Sequence, residues 1–187
     1  WLFVLMISAA GALSPVLAAP TAPTVPVLAP AGTFASDAAG VTLQHDYGAF
    51  ALYQVSAAAL QQLDATARAR VQSGAALHTI LFDTHPINTR QPEAVPARLT
   101  ARPSAAALHL VQFVAPIKQA WLDAVQAAGA TPIQYLANNA YLVWADAAAR
   151  SRLEQLAAQG DQIQYSAPLQ PANKLGASIE EAILSGT

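Results

Sequence analysis

Thr131–Ala145 reads TPIQYLANNAYLVWA, two short apolar-rich runs on either side of Asn138-Asn139. Each run is the length of a strand and is rich in aromatic and branched residues. Asparagine tolerates the positive φ that a type I′ hairpin needs at both central positions. The stretch therefore predicts strands over residues 131–137 and 140–145, joined by a two-residue turn. Such a turn pairs Ala137 with Ala140, sets Tyr135 opposite Leu142, and sets Ile133 opposite Trp144.

Outward from this hairpin the pattern is regular. Leu108 to Val114 (LHLVQFV) predicts a strand. Pro116 then suits the first turn of a helix. Ile117, Trp121, Leu122 and Val125 make one helical face, and Gly129 is placed to end that helix in a left-handed conformation. Beyond the hairpin, Asp146 can cap a second helix. In that helix Leu153 and Leu156 point inward, Arg150 and Glu154 lie one turn apart, and Gly160 ends it. Ile163 to Tyr165 is the last strand. The order is βαββαβ, which predicts an α+β fold with a ferredoxin-like, split βαβ arrangement over about residues 107–166, within a domain extending to 175.

The expected register assigns faces. Ile133, Tyr135, Leu142 and Trp144, with Val111 and Phe113, go to the helix-covered side. Leu110, Gln112, Gln134, Leu136, Tyr141, Val143, Gln162 and Gln164 go to the opposite, open side. That side is half amide and half apolar, which suits either an ordinary solvated sheet or a protein-docking surface.

Upstream the chain changes character. Residues 1–13 (WLFVLMISAAGAL) are apolar throughout and stop at Ser14-Pro15, short of the roughly 20 residues needed to span a bilayer. Val16 and Ala18 then stand where a signal peptidase reads small residues. This predicts a secretory signal over residues 1–18, cleaved after Ala18 or Ala19, with the chain starting inside the signal. Residues 19–40, rich in proline and alanine, are expected to form an extended spacer. Residues 41–84 are expected to be a small β-α-β segment: a strand region from Val41 to Val55 bent at Gly48, a helix capped by Ser56, and a strand from Leu77 to Phe82. That segment is too small for a core of its own and should lean on something else. Residues 85–106 read as a proline-rich linker, and 176–187 as the start of a further segment.

Composition narrows the function. The 187 residues are 54% hydrophobic and 11% charged, with a net charge of −2 and no cysteine. This gives no basic footprint for nucleic acid or for an anionic membrane surface once the signal is removed, and no thiol chemistry. The four histidines are His45, His78, His85 and His109. His78, Asp83 and His85 are close in sequence, but lack the further ligands that a metal site would need. No serine sits in a glycine-flanked strand-to-helix turn, and no glycine-rich phosphate loop is present, so neither catalytic residues nor a cofactor is expected.

Several pieces of the chain resemble the N-terminal prodomain region of secreted bacterial subtilisin-like serine peptidases. They are LVQFVAPI, the tryptophan-led helix, the NNAYLVW hairpin, and the tail carrying Pro171, Lys174 and Leu175. The HDYGAF segment is similar to what precedes this module in such precursors. The resemblance covers roughly residues 41–175. It implies an inhibitor-like propeptide that helps its own downstream protease domain to fold and masks it until processing. None of the family's catalytic Asp, His or Ser motifs has a matching position here. The alternative is an exported periplasmic or cell-surface interaction module with no enzymatic parent.

Overall fold

The computed structural model describes residues 23–82, 85–92 and 105–170. The expected signal with its cleavage site, Asp83, the middle of the linker and the 171–187 tail lie outside the described residues.

The C-terminal half follows the expected element order. Strand β7 (Ala107–Phe113) leads to helix α3 (Gln119–Ala127), then to β8 (Thr131–Leu136), β9 (Ala140–Ala145), α4 (Ala147–Gln159) and β10 (Ile163–Pro168). These strands form one sheet in the order β10-β7-β9-β8, with every neighbouring pair antiparallel. The fold is α+β, as the sequence implies. Local chemistry sets the boundaries. The Asp146 side chain accepts the Ala149 N–H at 2.8 Å, and Gly160 closes α4 at φ +70°. Pro116 lies before α3, not in its first turn: the N-cap is Lys118, and the Pro116 carbonyl accepts the Tyr47 hydroxyl at 2.7 Å.

The central hairpin departs from the expected register by one residue. Asn138 and Asn139 both have positive φ (66° and 60°), as their type allows. Yet Ala140 pairs with Leu136, leaving a loop of residues 137–139, and Tyr135 opposes Tyr141. A bulge between Pro132 and Gln134 then brings Thr131 opposite Trp144. The cause lies upstream. Ala137 bridges to Leu81, whose N–H reaches the Ala137 carbonyl at 3.4 Å, and the Asn138 amide donates to the Thr79 carbonyl at 2.9 Å. A one-residue slip turns a strand over. Val143 and Ala145 therefore join the core beneath the helices with Val111, Phe113 and Ile163, against Trp121, Val125 and Leu153. Leu142 and Trp144, expected there, lie on the other side.

The N-terminal region contradicts the spacer expectation. Thr24–Pro30 (TVPVLAP) forms β1, an inner strand between β3 (Phe50–Ser56) and the two-residue β4 (Gln72–Ser73). Val27, Leu28 and Ala29 are all buried. The prolines are compatible because β4 pairs with Val27 and Leu28 alone, leaving Pro26 and Pro30 clear of that ladder. Strand β2 (Val41–Asp46) completes the sheet in the order β2-β3-β1-β4. Gly48, at φ +80°, makes the bend between β2 and β3, and the Asp46 carboxylate accepts its N–H. The helix expected after Ser56 is two short ones. Ser56 caps α1 (Ala57–Gln61), and Asp64 starts α2 (Ala65–Ala69) by accepting the Ala67 N–H.

After a 3-10 turn over Gly74–His78, β5 (Thr79–Phe82) pairs with β6 (His85–Asn88). Proline 86 and its neighbours, expected in the linker, are therefore strand. The N-terminal four-stranded sheet does lean on the C-terminal one: Leu28 and Leu52, with Leu77 of the 3-10 turn, enter the same core cluster as Phe113 and Trp121. Its other face buries Val27, Ala29, Tyr53 and Val55 in a satellite cluster.

Candidate functional site

The eight residues expected to share an open docking face do not share one. Leu110, Gln112 and Leu136 lie on the sheet face away from the helices, but they are buried, with Leu110 at 1% and Gln112 at 0% exposure. The β5–β6 hairpin covers this face: Ile80 packs on Leu110, Leu136, Ala140 and Leu142, with Ile87 and Leu169 beside them. The amide of Gln112 is fully engaged in that cover, accepting from the Thr89 hydroxyl at 2.7 Å and donating to the Asn138 carbonyl at 3.0 Å. Val143 is buried on the helix side, and half-buried Tyr141 packs against the same core. Gln164 is half-buried and donates to the Leu77 carbonyl at 2.6 Å. Half-buried Gln162 offers its carbonyl to the Val114 N–H. Of the eight, Gln134 is exposed.

The apolar surface left open lies elsewhere. Ile133, Tyr135 and Trp144, expected to be core, are 56%, 51% and 48% exposed. They stand on β8 and β9, at the β8 edge of the sheet. Tyr135 meets Tyr141 edge-on, with ring centroids 5.7 Å apart. β8 carries no charged side chain. It is nevertheless blunted against strand-to-strand association by Pro132 and the bulge after it. The register sets Tyr135 beside Tyr141 on the helix side and Trp144 on the opposite face with Leu142, so the β8–β9 hairpin presents one exposed aromatic ring on each face.

Two polar arrangements inside the fold escape the sequence reading. His109 is fully buried on β7, with Nε2 2.8 Å from the Ser166 hydroxyl on β10. Burial, then the positive charge of Arg150, holds its pKa down to about 4. Arg150 is itself buried and donates to the Ala105 and Ala145 carbonyls at 2.8 and 2.9 Å. His78 is buried in the turn before β5. Its pKa is lowered by burial and then by Arg90, and raised in part by a side-chain hydrogen bond to Gln164.

The second arrangement joins the two sheets. Tyr47 stacks on Phe50 at 4.7 Å, and Lys118 lies 4.6 Å above its ring while donating to the Asp46 carbonyl. His45 meets Trp121 edge-on and hydrogen-bonds the Asp161 carbonyl at 2.8 Å. Burial pushes the Tyr47 phenol up to about 12, so it stays protonated as the donor to Pro116. These contacts seat the β2–β3 hairpin on α3. Their chemistry is packing and hydrogen bonding.

A Ser–His contact invites comparison with a nucleophile and its base. The His109 Nδ1, which a catalytic triad would tie to a carboxylate, has no partner among the described residues. Among the described residues no group of three His, Asp or Glu side chains could hold a metal ion. Of His78, Asp83 and His85, which are close in sequence, Asp83 and the His85 side chain lie outside the described residues. No helix among the described residues is long and apolar enough to cross a membrane.

Residues 65–170 match the model of a family described as a domain of unknown function, DUF8729, and the chain belongs to that family. The matched span runs from α2 to the end of β10, so it takes in the β5–β6 hairpin together with the sheet face that this hairpin covers. No curated protein and no solved structure matches the chain.

Proposed function

We propose that this DUF8729-family chain is the non-catalytic propeptide region of an exported subtilisin-like serine peptidase, serving as intramolecular chaperone and temporary inhibitor of its own protease domain. The observation that carries the reading is the half-exposure of Ile133, Tyr135 and Trp144 on the β8–β9 hairpin, Trp144 on one face of the sheet and Tyr135 on the other. Half-exposed aromatic side chains on a rigid sheet edge are the anchors that protein interfaces use. The resemblance of LVQFVAPI, NNAYLVW and the tryptophan-led helix to such prodomains supplies the partner. The docking surface moves accordingly from the face under the β5–β6 hairpin to this edge.

The test adds the chain in trans to the refolding catalytic domain of its precursor. The expected result is faster recovery of native protease together with inhibition of its activity. Trp144→Lys should weaken that inhibition about thirtyfold, on the order of 2 kcal/mol, through loss of an aromatic contact and desolvation of an ammonium. A precursor without a protease domain, or a chain that neither inhibits nor speeds refolding, overturns the reading in favour of an exported interaction module.

A further inference from the structure

His109 sits on β7, an inner strand, at the point where three elements converge on the helix-covered face. Opposite it on β9 is Val143, and opposite it on β10 is Pro168, with Ser166 supplying the hydroxyl to Nε2. From α4 comes Arg150, which is 8% exposed and is the charge that bears on the ring. Val143, Ser166 and Pro168 carry no charge, and the buried Nδ1 has no hydrogen-bond partner among the described residues. A neutral imidazole fits this setting. An imidazolium would be a second buried cation beside a guanidinium, with one N–H unsatisfied.

We propose that His109 is an acid-sensitive latch: neutral, it holds β10 and α4 to the centre of the sheet, and protonated, it releases them. The geometry makes the release directional. Proton uptake sets the ring against Arg150 of α4 and leaves Ser166 as its one hydrogen-bonding neighbour, while the β7–β9 ladder on the other side contains no group that responds. Because the folded ring holds its proton less tightly than an unfolded histidine, whose pKa is about 6.5, the unfolded chain binds more protons as acid is added. Stability from this group is therefore complete above about pH 6.5 and is lost as the pH falls towards 4. His78, also lowered, adds a slope of its own. The test therefore rests on the difference made at residue 109.

The experiment compares urea unfolding of the 187-residue chain and of His109→Gln at pH 7.5 and pH 4. Glutamine keeps a hydrogen-bonding group near Ser166 and does not titrate. The unfolding constant of the unmutated chain should rise between those pH values by about a hundredfold more than that of the variant. Equal rises overturn the latch. Should the variant fail to fold, an NMR titration of the His109 ring in the unmutated chain decides: a midpoint well below 6 supports the latch, and one at 6.5 or above overturns it. Hydrogen exchange at pH 4.5 supplies the direction. Protection should fall first over residues 147–168, and an even fall across all strands overturns the claim that β10 and α4 are what is released.

Discussion

The two faces of the C-terminal sheet are buried to the same degree by different means. Beneath the helices, Val111, Phe113, Val143 and Ile163 meet Trp121, Val125 and Leu153 from the same βαββαβ stretch, with Leu28, Leu52 and Leu77 of the N-terminal region joining that core. On the other face, Leu110, Leu136, Ala140 and Leu142 meet Ile80 and Ile87, from a hairpin more than 15 residues upstream of β7. The first cover follows from short connections, which oblige each helix to fold back on the strands it joins. The second depends on a distant segment finding its place, and it is fixed by polar pins: Thr89 and Asn138 on Gln112, and Thr79 on Asn138. The difference teaches that a sheet face can look amphipathic in sequence because its polar residues fasten a cover.

Substitutions can break or sharpen this contrast. Phe113→Ala, beneath the helices, should cost about 3–5 kcal/mol by leaving a cavity, and Ile80→Ala in the hairpin cover about 2–5 kcal/mol. Both are measured by urea unfolding. A cost under 1 kcal/mol for Ile80→Ala would mean that the hairpin is not a structural cover. Gln112→Ala should cost about 1–3 kcal/mol, because it strands the Asn138 carbonyl and removes one of the two acceptors of the Thr89 hydroxyl, which also reaches the His78 carbonyl. Hydrogen exchange of that variant should loosen residues 79–88 before the helix-covered face. The smallest effect belongs to Trp144→Lys at the open edge, within about 0.5 kcal/mol in the same unfolding measurement. A large loss of stability there would return Trp144 to the core, where the two-residue turn would have put it.

Element identity was legible wherever a local group enforces it. Asp146, Ser56, Gly129 and Gly160 mark helix ends in the sequence and do so in the fold. The parity of β7 was also legible, with Val111 and Phe113 to the helices and Leu110 and Gln112 away from them. The parity of β9 was not. Asn138-Asn139 permits loops of two or three residues with similar backbone angles, and the choice was made by Leu81 and Thr79. One signal was available. YLVW is apolar at both parities, as befits a strand covered on both faces. Likewise the run Val27-Leu28-Ala29 is apolar at both parities, and the prolines around it masked an inner strand.

By itself, then, the sequence determined the α+β class, the βαββαβ order and most of the caps, because propensity, capping and hydrophobic period act over a few residues at a time. The tertiary structure decided the hairpin register, the covered second face, the insertion of β1, the exposed edge of Ile133, Tyr135 and Trp144, and the burial of His109 beside Arg150. Each of these rests on contacts between segments far apart in the chain. A one-residue choice of register reverses every side chain of a strand, and no local preference is strong enough to make that choice.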